Sequence, residues 1–426
     1  MSAGTDYQPR ADAACAAAEV KNGPATSLMA PTAGIYIHVP FCRAKCLYCD
    51  FYSLAGRDDA MDRFINCAAK EIQQTPEWVR SWQFDTLYIG GGTPSLLTPN
   101  HLESIMTALQ QVLGTSRIEE FTMEANPGEA PEEKLRAFRD LGVDRLSLGF
   151  QSFDAGLLKF LGRLHDPRDC NRTFEAASRA GFDNINADIL FNVPGQTLRR
   201  WQSDLAALVE LGPEHISAYS LTVGKGTPLH GMVAAGQINM PSEEVDAAMY
   251  AWTREYLPGR GYDAYEISNY ARNGRACRHN LHYWRGEPYL GFGPAAHGFD
   301  GARRWWNVRG LDEYLERIEG GNSPVAGGED LDPVQLRNEK LALGLRLSGG
   351  VSVTADLGYE SAADFTSRYE VQLERWADHL VLSGEQISLT EQGTLLADTI
   401  AADLFLEGRK PTPHRKRRPP AAPAGG

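Results

Sequence analysis

Short apolar runs rich in Val, Ile and Tyr recur along the chain, most of them closing on a glycine or a polar residue. They fall at GIYIHVP (34–40), TLYIGGG (86–92), FTMEANP (121–127), RLSLGFQS (145–152), NINADILFNVPG (184–195) and HISAYSLTV (215–223). Each of the first five is followed by a stretch with helical spacing. In one, Leu102, Ile105, Met106, Leu109 and Val112 fall at i, i+3, i+4, i+7 and i+10. Strands alternating with helices predict parallel pairing through right-handed crossovers. Six such units predict an α/β fold, a partial (β/α)6 TIM-like barrel over residues 31–240. The working face of such barrels is the rim at the C-terminal ends of the strands. Unusual residues gather there: cysteines after the first run, GGGTP after the second, then Glu124, Gln151 and Asp188 on the next three.

Beyond the barrel the pattern loosens. Residues 241–330 mix aromatics and histidines without a clear period and read as a connecting region. From 331 to 408, LRNEKLALGLRL is helical, and the following segment predicts two helices around a short hairpin, an α+β winged-helix-like module. It lacks the basic face a DNA reader needs. Residues 1–30 (Ala, Gly, Pro, Ser) read as a disordered leader and the basic, Pro-rich 409–426 as a disordered tail. That tail is expected to be simply solvated, the alternative being an electrostatic hold on an anionic surface. Lys and Arg total 42 against 55 Asp and Glu, a net charge of −13, which argues against a nucleic-acid partner. With no apolar run of transmembrane length and no signal peptide, the expectation is a cytoplasmic protein without a transmembrane segment.

Three of the seven cysteines, Cys42, Cys46 and Cys49, stand in CRAKCLYCDF at the spacing C-x3-C-x2-C. Thiolates are soft donors that suit iron–sulfur clusters or zinc. A structural zinc would need a fourth, closed ligand. His38, Asp50 and Cys67 are the candidates, but His38 lies in a strand and Cys67 in a helical stretch. A [4Fe–4S] cube on three thiolates instead leaves one iron free to chelate the amino and carboxylate groups of S-adenosylmethionine. One electron from the reduced cluster could then cleave the cofactor's carbon–sulfur bond and release a 5′-deoxyadenosyl radical. The run Gly90, Gly91, Gly92, Thr93 lacks the GK[ST] ending of a phosphate loop. Alone it reads as a tight strand-to-helix turn, with Pro94 opening the helix.

The cysteine motif resembles the signature of the radical S-adenosylmethionine superfamily. The longer run YIHVPFCRAKCLYCDF is similar to the branch that holds oxygen-independent coproporphyrinogen III oxidase and haem chaperones, over roughly residues 33–408. The resemblance implies a cluster on Cys42, Cys46 and Cys49. It also implies S-adenosylmethionine held by Tyr36, Tyr48, Gly91, Gly92, Thr93, Glu124, Gln151, Arg163, Asp188 and Thr222. The glycine carbonyls would accept from the ammonium of S-adenosylmethionine, a carboxylate such as Glu124 or Asp188 would take ribose hydroxyls, and Arg163 would pair a carboxylate. The oxidase carries a further Cys two positions after the third ligand, where this chain has Phe51. RHNLHYW is similar to the HNxxYW motif of the chaperones and implies haem at His279, Asn280, Tyr283 and Trp284. Cys277, His282 and His297 are alternatives for the axial position. The resemblance therefore implies a haem chaperone whose partners are haem and haem-acceptor apoproteins, with the membrane surface one place of delivery. The alternative is the oxidase itself, which decarboxylates coproporphyrinogen III.

Overall fold

Alternation along the first run decides which way its side chains point. In β1 (Thr32–Val39), Ile35, Ile37 and Val39 are buried in the apolar core, while Gly34 and Tyr36 turn the other way, towards a polar interior. The same division repeats in β2 (Gln83–Gly91), β3 (Glu120–Ala125), β4 (Arg145–Gln151), β5 (Ile185–Phe191) and β6 (His215–Ser220). These six pair in parallel, in chain order. In this computed structural model, which describes residues 32–406, they form the partial barrel. The calls on residues 1–30 and 409–426 lie outside the described residues.

Helices fill the crossovers: α1 (Met61–Gln73), α2 (Pro99–Val112), α3 (Glu132–Asp140), α4 (Ala155–Leu161), α5 (Pro167–Arg179) and α6 (Leu198–Leu211). Local chemistry starts them. At α2 the Thr98 hydroxyl accepts from the His101 amide, the His101 ring accepts from the Thr98 amide, and Pro99 opens the first turn. Its apolar stripe then buries Leu102, Ile105 and Leu109 completely.

Residues 241–330, read as a connecting region, add strands to the same sheet. After α7 (Pro228–Ala234) and α8 (Glu243–Tyr256), β7 (Asn269–Ala271) pairs antiparallel with β6. Helix α9 (Arg278–Arg285) lies across the bottom of the barrel, and β8 (Tyr289–Phe292) joins β1 in parallel on its free side. Then β9 (His297–Phe299), β10 (Arg303–Asn307) and β11 (Val325–Asp330) extend the sheet antiparallel, with α10 (Leu311–Glu319) between the last two. Strands of three to six residues, broken by glycines, carry too few alternations to be read as a period.

The chain ends in a second core, with Leu341, Val353, Phe365, Ile387 and Ile400 among its members. It begins with α11 (Pro333–Gly344) and includes a three-stranded antiparallel sheet, a winged-helix-like arrangement. This module is tied to the barrel by an Arg304–Glu339 ion pair at 2.7 Å and by the Arg346 guanidinium 5.1 Å over the Trp284 ring.

One buried carboxylate joins the sheet extension to the first helix. Glu71 of α1 accepts from the Gly293 amide at 2.8 Å, from Asn307 Nδ2 at 2.6 Å and from the Tyr314 hydroxyl at 2.6 Å. Burial outweighs these donors and pushes its pKa up to about 7. A carboxyl raised by folding contributes its stability in full below its unfolded value and loses it as pH rises through the folded one. The midpoint of thermal unfolding should therefore fall between about pH 4.5 and pH 7, and by less in Glu71→Gln. Glu71→Ala, which strands three buried donors, should lose several kcal/mol at every pH. Calorimetry across that range checks both outcomes.

Candidate functional site

Parallel pairing brings two glycine-bearing strand ends and the cysteine loop to one rim. Val39 of β1 pairs with Gly91 of β2. Past the strands the Gly92 amide donates to Val39 O at 2.8 Å and the Thr93 amide to Phe41 O at 2.7 Å. These bonds stitch the glycine run to the start of the cysteine loop. Only glycine fits there. Gly91 has φ 106°, and a Cβ on it would sit 2.5 Å from the His38 ring. A Cβ on Gly92 would sit 2.5 Å from Phe41 O.

Cys42, Cys46 and Cys49 line a cavity of about 810 Å³ that opens at this rim and runs down into the barrel. All three are partly exposed free thiols. Thr93 Oγ1 donates to Cys42 Sγ and Arg163 Nη1 to Cys46 Sγ, each at 3.5 Å. Burial pushes the Cys42 thiol up, and the Thr93 bond offsets part of that. Among the described residues, no three His, Cys, Asp or Glu side chains converge on a single ion.

Every residue that the resemblance assigned to S-adenosylmethionine lines this same cavity: Tyr36, Tyr48, Gly91, Gly92, Thr93, Glu124, Gln151, Arg163, Asp188 and Thr222. Glu124 accepts from the Tyr88 hydroxyl at 2.8 Å and the Gly91 amide at 3.1 Å, and burial raises its pKa to about 7. Asp188 accepts from Asn186 Nδ2 at 2.8 Å and Ser147 Oγ at 3.2 Å, and burial raises it too. Arg163 donates to Gly149 O at 2.7 Å and to Asn126 Oδ1. Gln151 holds φ 67°, a left-handed conformation uncommon for a residue other than glycine, on the cavity wall.

The HNLHYW segment splits. Asn280 lines the cavity, but His279, Tyr283 and Trp284 do not. His279 is 1% exposed, and both of its ring nitrogens are engaged, Nδ1 with Thr86 Oγ1 and Nε2 with the Tyr283 hydroxyl, each at 2.9 Å. Its ring stacks on Tyr88 at 5.2 Å, and burial lowers its pKa to about 3. In this packing both nitrogens of the imidazole are bonded, and His279 forms part of the floor of the barrel. Trp284 lies under Arg346 instead. The two nearest alternatives are closed as well. Cys277 is fully buried, its thiol donating to Glu120 at 3.4 Å. His282 stands between Asp85 at 2.7 Å and Glu287 at 2.6 Å, which lift its pKa to about 9 despite burial, so it is held as a cation.

Sequence reading passed over several cavity residues. Asn126 donates to Thr93 Oγ1 at 2.9 Å and receives Arg163, so it links the glycine run to the guanidinium. Its position two after Glu124, on the same strand parity, was the available signal. Tyr88, two before Gly90, follows the same parity. Arg145, 2% exposed and facing the cavity from the start of β4, has no comparable mark.

Residues 36–208 match the Radical SAM superfamily. The chain is 35% identical over 369 residues to the heme chaperone HemW of Bacillus subtilis, covering 86% of this chain and 97% of that protein. It is 35% identical over 375 residues to the heme chaperone HemW of Mycobacterium tuberculosis strain H37Rv, covering 87% and 94%. Among solved structures, coproporphyrinogen III oxidase from Escherichia coli superposes with a TM-score of 0.76 at 20% identity, over 88% of this chain and 90% of that one. That is a likeness of fold.

The floor of the barrel gives a direct test. His279→Ala should leave the Thr86 and Tyr283 hydroxyls unpartnered and open space beneath Tyr88. The expected loss is about 2–4 kcal/mol in denaturant unfolding, against little change for the exposed Arg285→Ala.

Proposed function

We propose that this chain, which belongs to the HemW family of the radical S-adenosylmethionine superfamily, is a haem chaperone that binds haem and passes it to acceptor apoproteins. Cys42, Cys46 and Cys49 would hold a [4Fe–4S] cluster, and the cavity beneath them S-adenosylmethionine. When bound, this pair supplies one-electron chemistry that no protein side chain offers. The observation that carries the cofactor assignment is the convergence of three thiols, a glycine run, the Glu124 and Asp188 carboxyls and the Arg163 guanidinium on a single cavity.

The chain's own residues prepare that cavity. Thr93 and Arg163 donate to two of the sulfurs. Glu124 and Asp188 offer carboxylate oxygens to ligand hydroxyls from a wall where tyrosine and asparagine already fix their orientation. Raised pKa values make both better acceptors than solvated carboxylates, while Glu124, near 7, can also hold a proton.

Chaperone rather than oxidase is the reading that full-length similarity to HemW proteins supports. Phe51 adds to it. Two positions after the third thiol, this side chain is 65% exposed at the cavity mouth, an apolar surface with no thiol to offer. No helix among the described residues is long and apolar enough to cross a membrane. We place the work in the cytoplasm, with acceptors reached there or at a membrane surface.

Anaerobically reconstituted protein should carry about four irons and a brown chromophore, and Cys42→Ala should lose most of that iron while its circular dichroism is kept. Incubated with haem, wild-type protein should develop a stable Soret band and give the haem up to a haem-free globin. With coproporphyrinogen III, S-adenosylmethionine and a reductant it should yield no decarboxylated product; clean product formation would install the oxidase reading instead.

A further inference from the structure

Most polar groups inside the barrel are answered by a neighbour. Two at its lower end are not. Arg145 opens β4, is 2% exposed and lines the cavity. Its Nε is buried without a partner, and among the described residues the guanidinium makes no hydrogen bond and no ion pair. The Asn280 side chain of α9 lines the same cavity and also lacks a hydrogen-bond partner among the described residues.

A buried cation with no anion in contact is costly. The acids on the two neighbouring strands do not relieve it. Glu120 on β3 is committed to the start of α9, where it accepts from the Arg278 amide at 3.0 Å, the His279 amide at 3.1 Å and the Cys277 thiol at 3.4 Å. Asp188 on β5 is committed to Asn186 and Ser147. Both acids favour the charged guanidinium through space, and neither pairs with it. Arg163 at the rim is the contrast, engaged with Cys46, Asn126 and Gly149.

Register sets the depth. Arg145 pairs with Thr122, Ser147 with Glu124 and Gly149 with Asp188, so Arg145 stands lowest of the inward-facing residues on β4. Gln151 is six residues further on, about 20 Å along the strand. A cofactor whose amino and carboxylate groups chelate a cluster on the three cysteines keeps that carboxylate at the rim. An anion at Arg145 therefore belongs to a second ligand. The wall beside Arg145 is Ser147, Asn186 and Ser217, whose hydrogen bonds run to one another. The donors left for a ligand are those of Arg145 and Asn280.

We propose that Arg145, together with the Asn280 amide, is a carboxylate-binding subsite at the lower end of the cavity, and that it takes a propionate of the tetrapyrrole. This inference rests on the chaperone reading and deepens it by naming the group that is recognised. A guanidinium presents a planar fork that matches both oxygens of a carboxylate. In a water-poor interior such a contact is stronger than at the surface. A propionate carries its charge on a short flexible arm, so the carboxylate reaches the narrow polar end while the ring stays above it.

The test is a titration of the reconstituted full chain with haem and with haem dimethyl ester, in which both propionates are esterified. The ester should bind wild-type protein at least about tenfold more weakly than haem. Arg145→Met should bind haem about as weakly as wild type binds the ester, and should no longer distinguish the two ligands. Arg145→Lys, which keeps the charge without the fork, should fall between. Arg117→Ala, at an exposed arginine outside the cavity, should match wild type. Iron content and S-adenosylmethionine affinity should be kept in Arg145→Met. Loss of S-adenosylmethionine affinity with haem binding unchanged would move the carboxylate to that cofactor and overturn the proposal. Equal binding of haem and its ester by wild type, a measurement that needs no variant, would overturn the subsite and leave the chaperone reading standing. Wild-type protein that takes up neither would overturn both.

Discussion

The pairing of β1 with β2 is the constraint on which the candidate site depends. Two adjacent parallel strands must end side by side, so the chain leaving one and the chain leaving the other are forced into contact. Here one exit carries the cysteines and the other carries glycines. The amide bonds from Gly92 and Thr93 to Val39 and Phe41 lock that contact. Because Cβ atoms would collide with His38 and Phe41 O, glycine is the only residue that lets the two exits meet. A thiol loop fixed in this way stands directly over the barrel interior.

That interior is polar at every level, which is unusual for the centre of a fold. Thr86, Tyr88, Glu124, Ser147, Asn186, Asp188 and Ser217 all contribute, and they answer one another's hydrogen bonds. Below them, His279 and Tyr283 of α9 close the bottom by the same means. A half-satisfied set of this kind would be costly. Joined as it is, it forms a rigid, hydrophilic container whose walls are already oriented before any ligand arrives. The C-terminal module packs under α9 through Arg346 and Trp284, so it supports the floor and leaves the rim clear.

The antiparallel extension β9–β11 has another character. It leaves the barrel, exposes a face, and carries its aromatics alternately on its two sides. Glu71 holds its root to α1, which makes it a firm platform and not a loose flap.

Much of this was legible in the chain. Period-two runs followed by helical stripes identified six parallel strands, since a buried strand and an amphipathic helix each leave their own spacing. The thiols were legible because metal chemistry demands fixed short spacings, and the strand-end carboxyls and glycines because a parallel barrel presents its working residues at one rim. The extension was not legible, because its strands are too short to show a period. Nor was the fate of HNLHYW. A motif names residues and cannot say which side of a helix faces solvent. The residue types, the spacing and the rim were settled by the sequence itself. That His279 is walled in was decided only by the packing of α9 under the barrel, because burial is a property of neighbours distant in the chain.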